Sequence, residues 1–81
     1  MHITVEISYY PLQERYEEPV NELLALLDKQ ADVETETGTM STLLRGEYEP
    51  VMALLTGTMR QLMDKYPSVF NLKISNSCEI K

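Results

Sequence analysis

The sequence has 81 residues and sets 13 Asp and Glu against 7 Lys and Arg, a formal charge of −6. So short a chain has room for one core, and residues 1–81 read as a single domain. The acidity argues against nucleic acid, because phosphate binding needs clustered Lys and Arg. A hydrophobic share of 43% suffices for a packed core but is modest, which makes self-association a natural further source of burial.

The first segment alternates. Ile3, Val5, Ile7 and Tyr9 interleave with His2, Thr4, Glu6, Ser8 and Tyr10, the pattern of a half-buried strand that Pro11 ends. Tyr16, Val20, Leu23, Leu24, Leu27 and Ala31 then recur at helical spacing, predicting a helix near 17–30 with Pro19 tolerated in its first turn. Asp32 to Thr37 reads as a short polar strand that turns at Gly38 into another strand, Met40 to Glu47. Val51, Leu54, Leu55, Thr58, Leu62 and Tyr66 form a second helical stripe over 49–66, with Leu54 expected in the core. Gly57 falls inside that stripe and lowers helix propensity by up to about 1 kcal/mol without breaking it. Pro67 closes the helix, and Val69 to Ile80 reads as the last strand, with Phe70, Leu72, Ile74, Cys78 and Ile80 on one face.

The order is βαββαβ. A faint repeat supports two matched halves: Tyr16-Glu17-Glu18-Pro19-Val20 resembles Tyr48-Glu49-Pro50-Val51, and each opens a helix with acidic residues at its positive end. The fold class expected is α+β, a ferredoxin-like sandwich. Its antiparallel sheet has strand order 4-1-3-2, both helices cover one face, and the other face is open.

The stretch Gly38 to Gly46 is the most informative. It places the hydroxyls of Ser41 and Thr42 and the guanidinium of Arg45 on what becomes a central strand. Such groups serve a neighbouring strand, a partner subunit or a small polar ligand. Ser8-Tyr9-Tyr10-Pro11-Leu12, Glu18-Pro19-Val20 and Met40-Ser41-Thr42-Leu43-Leu44-Arg45-Gly46, in that order and spacing, resemble the thiamine-binding YkoF-like family. The resemblance covers nearly the whole chain. It implies binding of thiamine or its hydroxymethylpyrimidine part, as a carrier or sensor, on ferredoxin-like modules that associate as dimers or tetramers. It does not establish catalysis.

The residues supply chemistry for such a ligand. Glu6 and Glu36 can accept from an exocyclic amine, Ser41 and Thr42 can donate to a ring nitrogen or hydroxymethyl group, and Tyr9 or Tyr10 can stack. The site is therefore expected where Ser8 and Tyr10, ending the first strand, meet Thr39, Ser41 and Thr42 at the start of the third. Glu6, Glu36 and Arg45 are the further candidates. Plainer readings stand beside these. Ser41 and Thr42 also suit cross-strand contacts, and Arg45 suits a structural ion pair with Glu6 or Glu47. Either tyrosine suits packing. Met40, Met52, Met59 and Met63 read as core filler, and Cys78 as a small buried or edge residue.

Enzyme readings lack their parts. The lone histidine, His2, stands beside Met1, and there is no Gly-x-Ser-x-Gly elbow, phosphate-cradling glycine loop or His-x-x-x-His pair. One cysteine gives neither a disulfide nor a Cys-x-x-Cys metal site. No metal, cofactor or catalytic residue is expected, and the ligand that the resemblance implies is thiamine or hydroxymethylpyrimidine. No apolar run approaches the roughly 20 residues of a membrane span, and Met1-His2-Ile3-Thr4 does not read as a signal segment. The expected setting is cytoplasmic. The alternative function is a ligand-free regulatory or interaction module of the same fold.

Overall fold

Alternation in the first strand decides which face of the sheet is covered. In β1 (His2–Pro11) the side chains of Ile3, Val5 and Ile7 are buried, while Thr4, Glu6 and Ser8 are only half-buried. The computed structural model describes residues 1–38 and 40–77. After β1 come α1 (Glu17–Leu27), β2 (Glu34–Thr37), β3 (Thr42–Glu47), α2 (Tyr48–Lys65) and β4 (Ser68–Ser75). All strand pairs are antiparallel and the sheet order is β2-β3-β1-β4, so β1 and β3 are central. This is the ferredoxin-like α+β arrangement.

The register fixes two faces. Ile7 lies opposite Thr42, Val5 opposite Leu44 and Ile3 opposite Gly46, and this set faces the helices. Leu23, Leu26 and Leu27 of α1 and Val51, Leu55 and Leu62 of α2 complete the buried core above it. Gly46 permits the closest approach: a Cβ there would meet the Asp32 carbonyl and Val51 Cγ2, each at 3.2 Å. The other face holds Glu6 opposite Leu43 and Thr4 opposite Arg45, with Glu34 and Glu36 from β2 and Asn71 and Lys73 from β4.

The repeat seen in the sequence marks both helix starts. Pro19 and Pro50 each occupy the third helical position, where a backbone N–H has no intrahelical acceptor, so neither proline costs a hydrogen bond. α2 runs through Gly57 without interruption.

Several boundaries and burials differ from the sequence reading. α1 ends at Leu27, three residues early, and its stripe shifts: Pro19, Leu23, Leu26 and Leu27 are buried, whereas Tyr16 and Ala31 are exposed. On α2 Leu55 and Leu62 are fully buried, while Leu54 is only half-buried at the flank of the stripe. β3 starts at Thr42, because Met40 and Ser41 belong to the turn after β2. Met52 and Met59 pack against the core as expected, but Met40 and Met63 are exposed and fill nothing. Phe70 and Leu72 of β4 pack inward, while Ile74, on the same edge strand, is half-exposed. Thr39, Cys78 and Ile80 lie outside the described residues. Among the described residues no helix is long and apolar enough to cross a membrane.

Candidate functional site

At one end of the sheet the helix layer stops short. The end of β1, the loop after it, α1 and the β2–β3 turn enclose a cleft of about 440 Å³ there. That size falls within the roughly 300–1,000 Å³ usual for small-molecule sites. Ile7, Tyr9 and Thr42 form its base on the sheet, and Val20, Leu23 and Leu24 form the α1 wall. Tyr10, Gln13, Tyr16 and Met40 stand around the mouth, where Tyr10 is 53%, Tyr16 59% and Met40 86% exposed. No Asp, Glu, Lys, Arg or His is among the described residues that line it.

Tyr9 is held rigidly. Its ring stacks on Phe70 with centroids 4.5 Å apart and planes 9° from parallel. Its hydroxyl lies 2.9 Å from Ser68 Oγ, and Ser68 already donates its own proton to the Tyr66 carbonyl at 2.9 Å. The phenol is therefore the donor to Ser68, and the flat ring is fixed in place at the end of the cleft.

Thr42 is the polar group at the base. It occupies a position whose strand neighbours on the same face are Leu44 and Gly46, and it is only 5% exposed. Among the described residues its hydroxyl has no hydrogen-bond partner, yet none of their fully enclosed side-chain polar atoms is left unpaired. The hydroxyl thus opens onto the cleft. A buried hydroxyl of this kind normally finds a partner, protein or water, and this one can take it from whatever occupies the cleft.

Ser41 lines the same cleft, but its Oγ donates to Glu6 Oε2 at 3.1 Å, across the strand edge. Its carbonyl accepts from the Gly38 N–H at 2.8 Å and closes the turn. A Cβ at Gly38 would meet that carbonyl at 3.2 Å, so glycine keeps the turn tight beside the cleft.

Of the eight residues singled out from the sequence, Tyr10, Ser41 and Thr42 come together here. Glu6, Ser8, Glu36 and Arg45 lie on the open face of the sheet, so the eight do not form one site. Glu6 reaches the cleft only through Ser41, and its other oxygen is 3.8 Å from Lys73 Nζ. Arg45 is paired with Glu36 at 3.0 Å, the structural ion pair anticipated for it with a different partner. Register brings Glu34 opposite Arg45 and Glu36 diagonal to it on β2, while Glu47 pairs with the N-terminal amine and Glu6 with Ser41 and Lys73. Thr39 lies outside the described residues. The α1 wall was missed, although Tyr16, Val20 and Leu24 are spaced i, i+4, i+8 on the flank of the stripe that the sheet does not cover. Thr42 also carried a readable signal, as a hydroxyl in phase with Leu44.

Beside the cleft, the two helices are tied by a polar cluster. Lys65 Nζ reaches Glu22 at 3.1 Å, and the Tyr66 hydroxyl donates to Glu22 at 3.0 Å and to Glu18 at 3.2 Å. Lys65 holds the Glu22 carboxyl below its ordinary range. Partial burial, then the hydrogen bond to Glu22, pushes the Tyr66 phenol from 10.0 up to about 12. The protonated phenol is the form favoured by folding, so its stabilisation is complete below pH 10 and is lost as pH rises toward 12. Urea unfolding across that interval should show a steeper loss of stability in the wild type than in Tyr66→Phe. Parallel profiles would exclude the cluster as the cause.

A ferredoxin-like α+β module with a small, uncharged, partly aromatic cleft at one end is the class these features define. The thiamine-binding protein family matches residues 5–78, and the chain belongs to that family. No curated protein matches the sequence. Among solved structures, a Streptococcus pneumoniae protein shares 20% identity with a TM-score of 0.87, over 95% of this chain and 88% of that one. A Thermotoga maritima protein, described as a candidate thiamine biosynthesis or salvage protein, shares 24% identity with a TM-score of 0.85, over 95% and 85%. A Methanocaldococcus jannascii protein shares 20% with a TM-score of 0.82, over 99% and 84%. At these identities the likeness is one of fold. Among the described residues no group of three or more His, Cys, Asp or Glu is placed to hold a metal ion.

Proposed function

We propose that this protein binds thiamine, or its hydroxymethylpyrimidine part, in the cleft between α1 and the end of the sheet, and acts as a carrier or sensor of that compound. The observation that carries this reading is the Thr42 hydroxyl, buried at the base of an uncharged cleft with an apolar α1 wall and without a partner among the described residues. An aminopyrimidine is flat, largely apolar on its faces and studded with hydrogen-bonding edges. Ile7, Leu23 and Leu24 supply apolar contact for the faces, and Thr42 supplies a donor or acceptor for an edge. Tyr10 and Tyr16 at the mouth are free to close over the ring, each aromatic contact contributing on the order of 1 kcal/mol. Family membership and the description of the Thermotoga maritima relative support the choice of ligand.

The reading is one of binding rather than turnover, and membership of a thiamine-binding family supports it. Thiamine at 100 times its dissociation constant should raise the unfolding free energy by about 2.7 kcal/mol. Hydroxymethylpyrimidine, tested beside it, reports which moiety is held. No shift with either compound would favour the second reading, an interaction module. The exposed apolar rim of Tyr10, Leu12, Tyr16 and Met40 is the feature that favours that alternative.

Self-association belongs to the same proposal. β2 and β4 are sheet edges, and Val69 and Tyr10, paired across β4 and β1, are both exposed. A second copy would cover them. Sedimentation at micromolar concentration should give a dimer or a tetramer, and a monomer there would contradict it.

A further inference from the structure

We infer that the cleft selects the unphosphorylated, cationic form of its ligand and rejects the phosphate esters, with Glu17 and Glu18 as the specificity-determining residues. This rests on the thiamine reading above. The cleft contains no cation among its described lining residues, so nothing inside it can neutralise a phosphate. Its mouth leads past Gln13 into a second depression lined by Gln13, Arg15, Glu17 and Glu18. Two carboxylates there face one guanidinium.

The chemistry of the ligand orients it. The neutral pyrimidine suits the apolar interior, whereas the thiazolium has a fixed positive charge that is costly to bury unpaired. The thiazolium and its hydroxyethyl arm therefore point to the mouth, and a phosphate on that arm would arrive beside Glu17 and Glu18. A phosphomonoester adds about two negative charges at neutral pH. The positive end of α1 would otherwise attract such a group, but Glu17 and Glu18 occupy its first turn and oppose it. Three of the other cations are paired elsewhere: Lys65 with Glu22, and Arg45 and Lys73 with carboxylates on the far face of the sheet.

Isothermal titration of the intact protein with thiamine, thiamine monophosphate and thiamine diphosphate tests this. At low salt thiamine should bind at least about tenfold more tightly than the monophosphate, and the gap should narrow at high salt as these exposed charges are screened. Glu17→Gln with Glu18→Gln should narrow the gap by weakening thiamine and strengthening the ester, while Arg15→Gln should widen it. Thermal unfolding of each variant checks that the fold is retained. Equal or tighter binding of the esters would overturn the inference while leaving the thiamine site intact. Preserved discrimination in the folded double variant would remove Glu17 and Glu18 as its source. Failure of all three compounds to bind would instead sink the thiamine reading, and this inference with it.

Discussion

Leu55→Ala is expected to cost about 2–5 kcal/mol, the largest stability loss of any single substitution considered for this chain. Leu55 is fully buried in α2, where it joins Val51 and Leu62 above the Ile3, Val5 and Leu44 surface of the sheet. Truncation there removes its own transfer free energy and leaves a cavity that two helices and a sheet cannot easily close. A chain of this length has a total stability of roughly 4–12 kcal/mol, so the variant would lose a large fraction of it. Leu54→Ala is the matched control, since Leu54 sits one residue away and is only half-buried. Urea denaturation of both should show the Leu55 variant clearly less stable. Equal losses would mean that the inward face of α2 is wrongly assigned.

Thr42→Val should have the largest effect on binding. The substitution preserves shape and removes a hydroxyl that has no partner among the described residues, so the fold should be unchanged or slightly more stable. If a ligand uses that hydroxyl, its loss costs about 1–3 kcal/mol, or roughly 5- to 150-fold in affinity. Ser41→Ala should weaken binding less, because the Ser41 proton is already given to Glu6. Calorimetric titration of the two variants separates the roles. Unchanged affinity in Thr42→Val would show that the hydroxyl does not meet the ligand.

Most of the fold was legible because it rests on local rules. The alternation of Ile3, Val5 and Ile7 against Thr4 and Glu6 determines the covered face of β1, and the prolines at 19 and 50 mark both helix starts. The strand order followed from the matched halves. The boundaries that shifted depend on tertiary contacts. The 38–41 turn is closed by the bond from the Gly38 N–H to the Ser41 carbonyl, which removes Met40 and Ser41 from the strand they seemed to begin. Leu54 and Leu55 are both apolar and adjacent, and only the docking angle of α2 decides which one the sheet covers.

The site was less legible for a related reason. The polar residues of Gly38 to Gly46 drew attention as a group, but strand alternation sends Arg45 to one side and Thr42 to the other. A cluster in sequence is therefore divided in space. The cleft instead combines the Ser41 and Thr42 hydroxyls with apolar residues of α1, which read as ordinary core until the helix is seen to stop short of the sheet's end. Pairing on the open face, Arg45 with Glu36 and Glu6 with Ser41 and Lys73, gives that face its own polar order.

The measurement that bears most directly on the proposed cleft is a nuclear magnetic resonance titration of isotope-labelled protein with thiamine. Saturable shifts are predicted for the methyl groups of Ile7, Val20, Leu23 and Leu24, the amide of Thr42 and the ring of Tyr9. Thr4, Ser8, Leu43 and Arg45, on the opposite face of the sheet, should stay still. Shifts confined to that opposite face, or no saturable shift at all, would contradict a ligand site between α1 and the sheet.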